Sequence, residues 1–250
     1  TARLRTLKQA GGLASGGQSL EGIIPGPIAI ADIDADGDLD VFIGGRAVTG
    51  HYPQASASVL LRNTTRSLEP AGGTLGQALG LVNGAVFSDL DGDRFPELIV
   101  ATEWGPVRVF KNQQGVFSEI TEPLGLSGLT GLWQGVATGD FDADGRTDIV
   151  ATNWGLNSAL RPNVINPPRL HYNFSESSVP TSLLLGTWDD RLKKYLPTRD
   201  LSALFTGYPG LRGVFQTYRA FAEAGVQTLL DLSLIHISEP TRRYAMSYAV

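Results

Sequence analysis

The chain contains no cysteine in its 250 residues. That excludes a disulfide framework, a thiol nucleophile and a thiolate metal site. Histidine is scarce at three residues, and no His–Ser or His–acid spacing suggests an activated nucleophile. No apolar run approaches the length of a membrane-spanning helix. Positive charge is not in excess either: the net charge is −5, which argues against a nucleic-acid partner. Charged residues reach only 18% of the chain, while hydrophobic content is an ordinary 42%. A chain of this length buries a real core in one or two domains. Glycine is plentiful at 30 residues, and glycine with short apolar runs favours an all-β fold rich in turns.

Thirteen of the 25 acids fall in three short stretches. The first reads D-I-D-A-D-G-D-L-D from Asp32 to Asp40 and holds five of them. The second reads D-L-D-G-D-R-F-P-E from Asp89 to Glu97, and the third D-F-D-A-D-G-R-T-D from Asp140 to Asp148, with four each. Five like charges at alternate positions cannot line one face of a half-buried strand. They require water or a cation. Calcium suits them, because it is hard and takes six to eight oxygens from a tight loop. Solvated acidic turns are the plain alternative, and three matched copies favour calcium. In this reading positions 1, 3, 5 and 9 supply side chains: Asp32, Asp34, Asp36 and Asp40; Asp89, Asp91, Asp93 and Glu97; Asp140, Asp142, Asp144 and Asp148. Position 7 supplies a backbone carbonyl from Asp38, Phe95 or Arg146. Position 6 calls for a sharp turn with positive φ, which suits Gly37 and Gly145. Arg94 holds that place in the second loop and Pro96 follows, so the second loop is expected to bind weakest and the first strongest. Three Ca²⁺ would bring the chain close to neutrality.

Each acidic loop is preceded by an alternating run, at residues 28–31, 85–88 and 135–138. Each is followed by a β-rich apolar run, at 41–43, 98–100 and 149–150. Loop starts lie 57 and 51 residues apart. The unit is therefore strand, acidic loop, strand. An EF-hand does not fit. Its bidentate Glu at position 12 is replaced by Ile43, Val100 and Ala151, and the flanks are β-branched and short.

Further strands are expected at 58–63 and 107–112, which share a pattern of apolar residues, a base and then Asn, and at 116–121. Gly44–Gly45 is expected to end a strand. Residues 101–105 (A-T-E-W-G) echo 151–155 (A-T-N-W-G). Beyond them the pattern loosens. Strands are expected near 170–173 and 183–188, with a degenerate fourth loop at 173–181 whose acids have become Asn173, Ser175, Ser177 and Thr181. Residues 218–230 have helical spacing.

Loops of the form D-x-D-x-D-G-x-x-D between strands resemble the FG-GAP/VCBS calcium repeats that form the blades of β-propellers. The stretches 41–53, 58–63 and 103–112 are similar to bacterial cartilage-acidic-protein-like proteins, which are associated with ASPIC/UnbV domains. The resemblance covers about residues 25–230 and is strongest to 160. It implies a partial β-propeller of about four four-stranded blades with a short C-terminal helix, bound to as many as three Ca²⁺. It also implies extracellular, cell-surface or periplasmic binding or adhesion, with a protein or carbohydrate ligand and no chemistry of its own. The alternative is a piece of a propeller hydrolase or lyase whose site lies in other blades.

Residues 1–24 read as the end of a preceding repeat or a loop, and 25–231 as the propeller segment. The stretch 232–250, beginning L-S-L-I-H-I-S-E-P-T-R, resembles a translated sequencing adapter. It is expected to be read-through that packs against nothing. The chain begins at Thr1 without Met, and truncation at both ends is expected. Among single residues, Trp104, Trp133, Trp154 and Trp188 are expected to pack between blades, with a sugar- or peptide-stacking platform as the sharper role. His51 and His171 are expected in surface or core roles. Arg46 and Arg108 are candidates to meet an anionic ligand, although surface charge is their commoner role.

Overall fold

The computed structural model describes residues 2–3, 19–20, 23–64, 67–155, 158, 160, 165–173, 182–207, 209–231 and 242–245. The chain divides into two compact units, Thr1–Ser127 with Trp133–Asn153, and Gly128–Leu132 with Trp154–Val250. The first is built mainly from antiparallel sheets, the second from one antiparallel sheet and short helices.

In the first unit β1 (Ala2–Arg3) pairs with β2 (Ser19–Leu20). A four-stranded antiparallel meander follows: β3 (Ile23–Ala31), β4 (Asp40–Val48), β5 (Val59–Asn63) and β6 (Leu68–Ala71). A second meander repeats it with β7 (Leu81–Ser88), β8 (Glu97–Gly105), β9 (Val107–Gln113) and β10 (Val116–Glu119). The hairpin of β11 (Gly131–Gly139) and β12 (Asp148–Asn153) begins a third and joins the second through β8. In every repeat the acidic loop connects the first two strands. Its ninth residue opens the second strand, opposite the residue that precedes the loop: Asp40 faces Ala31, Glu97 faces Ser88 and Asp148 faces Gly139.

The first strands of successive repeats lie close together. A Cβ on Gly26 would stand 2.4 Å from the Val82 carbonyl, and one on Gly84 2.8 Å from Gly135 Cα. Behind these strands, Phe42, Leu60, Leu98, Phe110 and Phe117 form a core, with Phe87 edge-on to Phe42 at 6.5 Å. Gly44–Gly45 does not end a strand; β4 continues to Val48. Gly45 instead permits a close approach, since its Cβ would meet the Ala57 carbonyl at 2.3 Å.

In the second unit β13 (Arg169–Asn173), β14 (Ser182–Asp189), β15 (Lys194–Pro197) and β16 (Arg242–Ala245) form a sheet in the order β15–β14–β13–β16. Three short helices follow β15: α1 (Leu201–Gly207), α2 (Tyr218–Glu223) and α3 (Val226–Asp231). They bury Leu204, Leu211, Phe215 and Leu229 with Leu184 of the sheet. The single helix expected at 218–230 is thus two helices. Ala224 is extended (φ −79, ψ 132), and Gly225 sits where a Cβ would lie 3.2 Å from the Tyr195 carbonyl.

The expectation that 232–250 packs against nothing fails for β16, which pairs with β13 from Tyr172–Arg242 to Arg169–Ala245. An open strand edge offers main-chain donors and acceptors to any extended segment, whatever its side chains. Residues 174–181 of the expected fourth loop lie outside the described residues.

Candidate metal centre

The acids of each loop first hold their own backbone. The position-1 carboxylate accepts two N–H groups from across the turn. Asp32 accepts from Asp36 at 3.2 Å and Gly37 at 2.9 Å. Asp89 accepts from Gly92 at 2.8 Å and Arg94 at 3.0 Å, and Asp140 from Asp144 at 3.1 Å and Gly145 at 2.9 Å. The position-5 acid accepts the N–H of position 7: Asp38 donates to Asp36, Phe95 to Asp93 and Arg146 to Asp144, at 2.8–2.9 Å. The position-9 acid reaches back to the N–H of position 2. Ile33 donates to Asp40 at 3.1 Å, Leu90 to Glu97 at 2.8 Å and Phe141 to Asp148 at 3.0 Å. Asp and Asn side chains favour such local bonds to turn backbone.

Two residues per loop adopt positive φ, not one. Position 6 does so at Gly37, Arg94 and Gly145, with φ of 91, 76 and 84°. Position 4 does so at Ala35, Gly92 and Ala143, with φ of 61, 81 and 62°. Each loop therefore carries one glycine and one strained non-glycine residue. The expected weakness of the second loop loses its main reason: Arg94 is strained, but Gly92 relieves the position where the other loops strain alanine.

Three carboxylates of each loop also converge. Asp32, Asp34 and Asp36 place one oxygen each within 4.8 Å of one another, as do Asp89, Asp91 and Glu97, and Asp140, Asp142 and Asp148. Asp40 stands outside its group. It is fully buried, and its second oxygen accepts the Asn63 N–H at 2.7 Å. Burial pushes its carboxyl up, Asn63 and Ile33 pull it back, and Asp34 and Asp36 add to the rise. Asp93 and Asp144 also lie outside the convergent threes.

Positive charge meets the loops unequally. Lys111 of β9 points its ammonium into the second loop, 2.5 Å from Asp91, 2.6 Å from Asp93 and 3.1 Å from Glu97. Burial works against the charge on Lys111, but its three carboxylate partners outweigh that and raise its pKa. Its hydrogen bond, with help from the Phe95 N–H, holds Asp93 below the usual carboxylate range. In the first loop Arg62 of β5 lies 3.3 Å from Asp34 alone. In the third, Arg146 folds back on Asp144 and lowers its pKa. Asp140, Asp142 and Asp148 have no basic partner among the described residues.

The donor set fits a hard divalent cation. The converging donors are carboxylate oxygens, and Asp34 Oδ1 in the first loop is buried without a hydrogen bond. In the second loop an ammonium already stands among them. Sequence reasoning passed over Arg62, Asn63, Lys111 and Asn112, although the shared base–Asn pattern of 58–63 and 107–112 was its signal. Asn112 donates to the Ile33 carbonyl at 2.8 Å and so ties the first loop to the second repeat. Thr147 of the third loop donates to the Asp89 carbonyl at 3.3 Å.

The other singled-out residues are mostly engaged in the fold. Trp104 is buried, has a φ of 63° and donates to Tyr52 Oη at 2.9 Å. Tyr52 in turn donates to Glu103 at 2.5 Å, and its pKa is raised by burial and by that carboxylate. Arg46 closes the cluster, 3.3 Å from Glu103. Arg108 grips Glu119 with two nitrogens at 2.8 and 2.6 Å. Neither arginine is left for an anionic ligand. Trp133 and His171 are buried and Trp154 is exposed. His51 Nδ1 lies 3.0 Å from the Thr49 carbonyl.

An FG-GAP-like repeat matches residues 89–151. The match runs from the first residue of the second loop to just past the third. A search of curated proteins gave no match. FG-GAP repeats are commonly parts of extracellular or secreted proteins, and no described helix is long and apolar enough to cross a membrane.

Proposed function

We propose that this chain is a calcium-stabilised binding or adhesion module of the FG-GAP/VCBS propeller type, working at a cell surface, in the periplasm or outside the cell. One observation carries the reading: three loops share a hydrogen-bond pattern, and each gathers three carboxylates within 4.8 Å. Calcium would supply the positive charge such a group requires. Asp32, Asp34 and Asp36 would hold it in the first loop, Asp89, Asp91 and Glu97 in the second, and Asp140, Asp142 and Asp148 in the third. Its role is structural, because the same acids brace the turns that join β3 to β4, β7 to β8 and β11 to β12. No catalytic role is assigned to these acids.

The close succession of β3, β7 and β11 supports a propeller, whose innermost strands crowd around an axis. The relation to bacterial cartilage-acidic-protein-like repeats belongs to this proposal, carried by residues 41–53 and 103–112. So does the adapter origin of 232–250, carried by its residue string alone. Calorimetry of the full chain with Ca²⁺ tests the function. Uptake at millimolar calcium or below is expected, and loss of one site's share of it in Asp140→Asn/Asp142→Asn locates the third site. No uptake at millimolar calcium overturns the reading.

A further inference from the structure

The second unit holds a cavity of about 410 Å³ that the acidic loops do not touch, within the size range of small-molecule sites. Its lining includes Arg169, His171, Lys193 and Lys194, and no carboxylate among the described residues. Two aromatic residues, Trp188 and Tyr195, also line it, with Asn166 and residues 225–228.

The sheet explains the arrangement. Arg169 faces Gly186 across β13–β14, and Trp188 faces Tyr195 across β14–β15. Opposed residues share a face, as do residues two apart. Arg169, His171, Trp188 and Tyr195 therefore stand on one face, around Gly186, on which the Val226 side chain packs. The guanidinium of Arg169 lies over the Tyr195 ring, 4.2 Å from its centre, and Trp188 meets that ring edge-on at 5.2 Å. Arg169 is half-buried and has no carboxylate partner among the described residues. A buried cation is ordinarily paired. The Tyr195 hydroxyl is buried too and has no hydrogen-bond partner among the described residues. The Lys194 ammonium is engaged by the Glu223 carbonyl, and Lys193 makes only an exposed contact with Asp190 at 3.6 Å.

We infer that this cavity binds a small anionic sugar. A carboxylate or phosphate would take the two-pronged guanidinium of Arg169, which is already fixed by its ring contact. The sugar ring would lie against Trp188. Lys193, at the rim, draws the anion in without shaping the site. The inference rests on the reading of the chain as a binding module and is independent of its calcium.

The test is calorimetry of the full chain with D-glucuronate, D-glucose 6-phosphate, D-glucose and inorganic phosphate. At least one anionic sugar is expected to bind saturably, and which one does separates a carboxylate from a phosphate ligand. Glucose and free phosphate are expected to bind roughly tenfold more weakly or not at all. Arg169→Gln is expected to weaken the sugar roughly tenfold, and Lys193→Gln two- to threefold with added salt removing that difference. Lys193 is a surface residue, so its variant keeps the fold. The inference is overturned if neither anionic sugar binds, if glucose or phosphate alone binds as well, or if Arg169→Gln binds unchanged. Calcium uptake in the same samples separates the two readings. Uptake without sugar binding sinks this inference alone, and sugar binding without uptake sinks the calcium reading alone.

Discussion

The second and third acidic loops place acids at the same four positions and share the same turn, yet they balance their charge in opposite ways. In the second, Lys111 reaches in from β9 and touches three of the four acids. In the third, Asp140, Asp142 and Asp148 face one another without a basic partner among the described residues. The second loop also buries its ninth residue, Glu97, to 1% exposure, and the third leaves Phe141 59% exposed at position 2. A loop with its own cation keeps its shape without metal. A loop without one repels itself until a metal arrives. Equal motifs therefore do not mean equal dependence on calcium.

The largest effect should come from removing calcium. Hydrogen exchange in chelator is expected to quicken at least about tenfold across residues 141–148 and to change little across 90–97, because the second loop keeps the Lys111 ammonium among its acids when metal is removed. Equal quickening in both would end the comparison. Next is Lys111→Met. Without calcium it leaves buried Glu97 unpaired and should cost about 2 kcal/mol in denaturant unfolding, somewhat below a fully buried pair because Lys111 keeps some solvent contact. With calcium the cost should shrink, and the second site should bind more tightly once its competitor is gone. A variant as stable as the parent in chelator would show that Lys111 is a bystander.

Arg62→Met should act in the same direction in the first loop but by about 0.5 kcal/mol, since Arg62 meets one carboxylate and is more exposed. A cost equal to that of Lys111→Met would erase the ranking. The smallest effects belong to the turns. Arg94→Gly, Ala35→Gly and Ala143→Gly should each stabilise by a few tenths of a kcal/mol, as relief of left-handed strain outweighs added chain entropy. Thermal unfolding of the three variants gives the comparison directly. A gain confined to Arg94→Gly would restore the idea that position 6 alone sets loop quality.

Much of the first unit was legible because its cues are local. Acids at alternate positions bond N–H groups two to seven residues away, so their spacing announces the turn, and the apolar runs on either side announce the strands. The second unit was less legible. Nothing short-range marks Gly225, which splits the expected helix because β15 passes behind it. Nor does any local pattern show that Arg169 lacks a carboxylate partner among the described residues while Arg46 and Arg108 find one.

The sequence by itself therefore determined three acidic turns between strands, each with its carboxylates directed inward, because side chains that bond their own backbone need no distant partner. Only the tertiary structure decided how each turn is neutralised. Lys111 lies 14 or more residues beyond the acids it touches, and Arg62 lies 28 beyond Asp34. Whether such a base arrives depends on which strand pairs beside the loop. The same holds for Asp40, whose spacing matches that of a ligand but whose second oxygen was claimed by the Asn63 N–H once β5 had paired with β4.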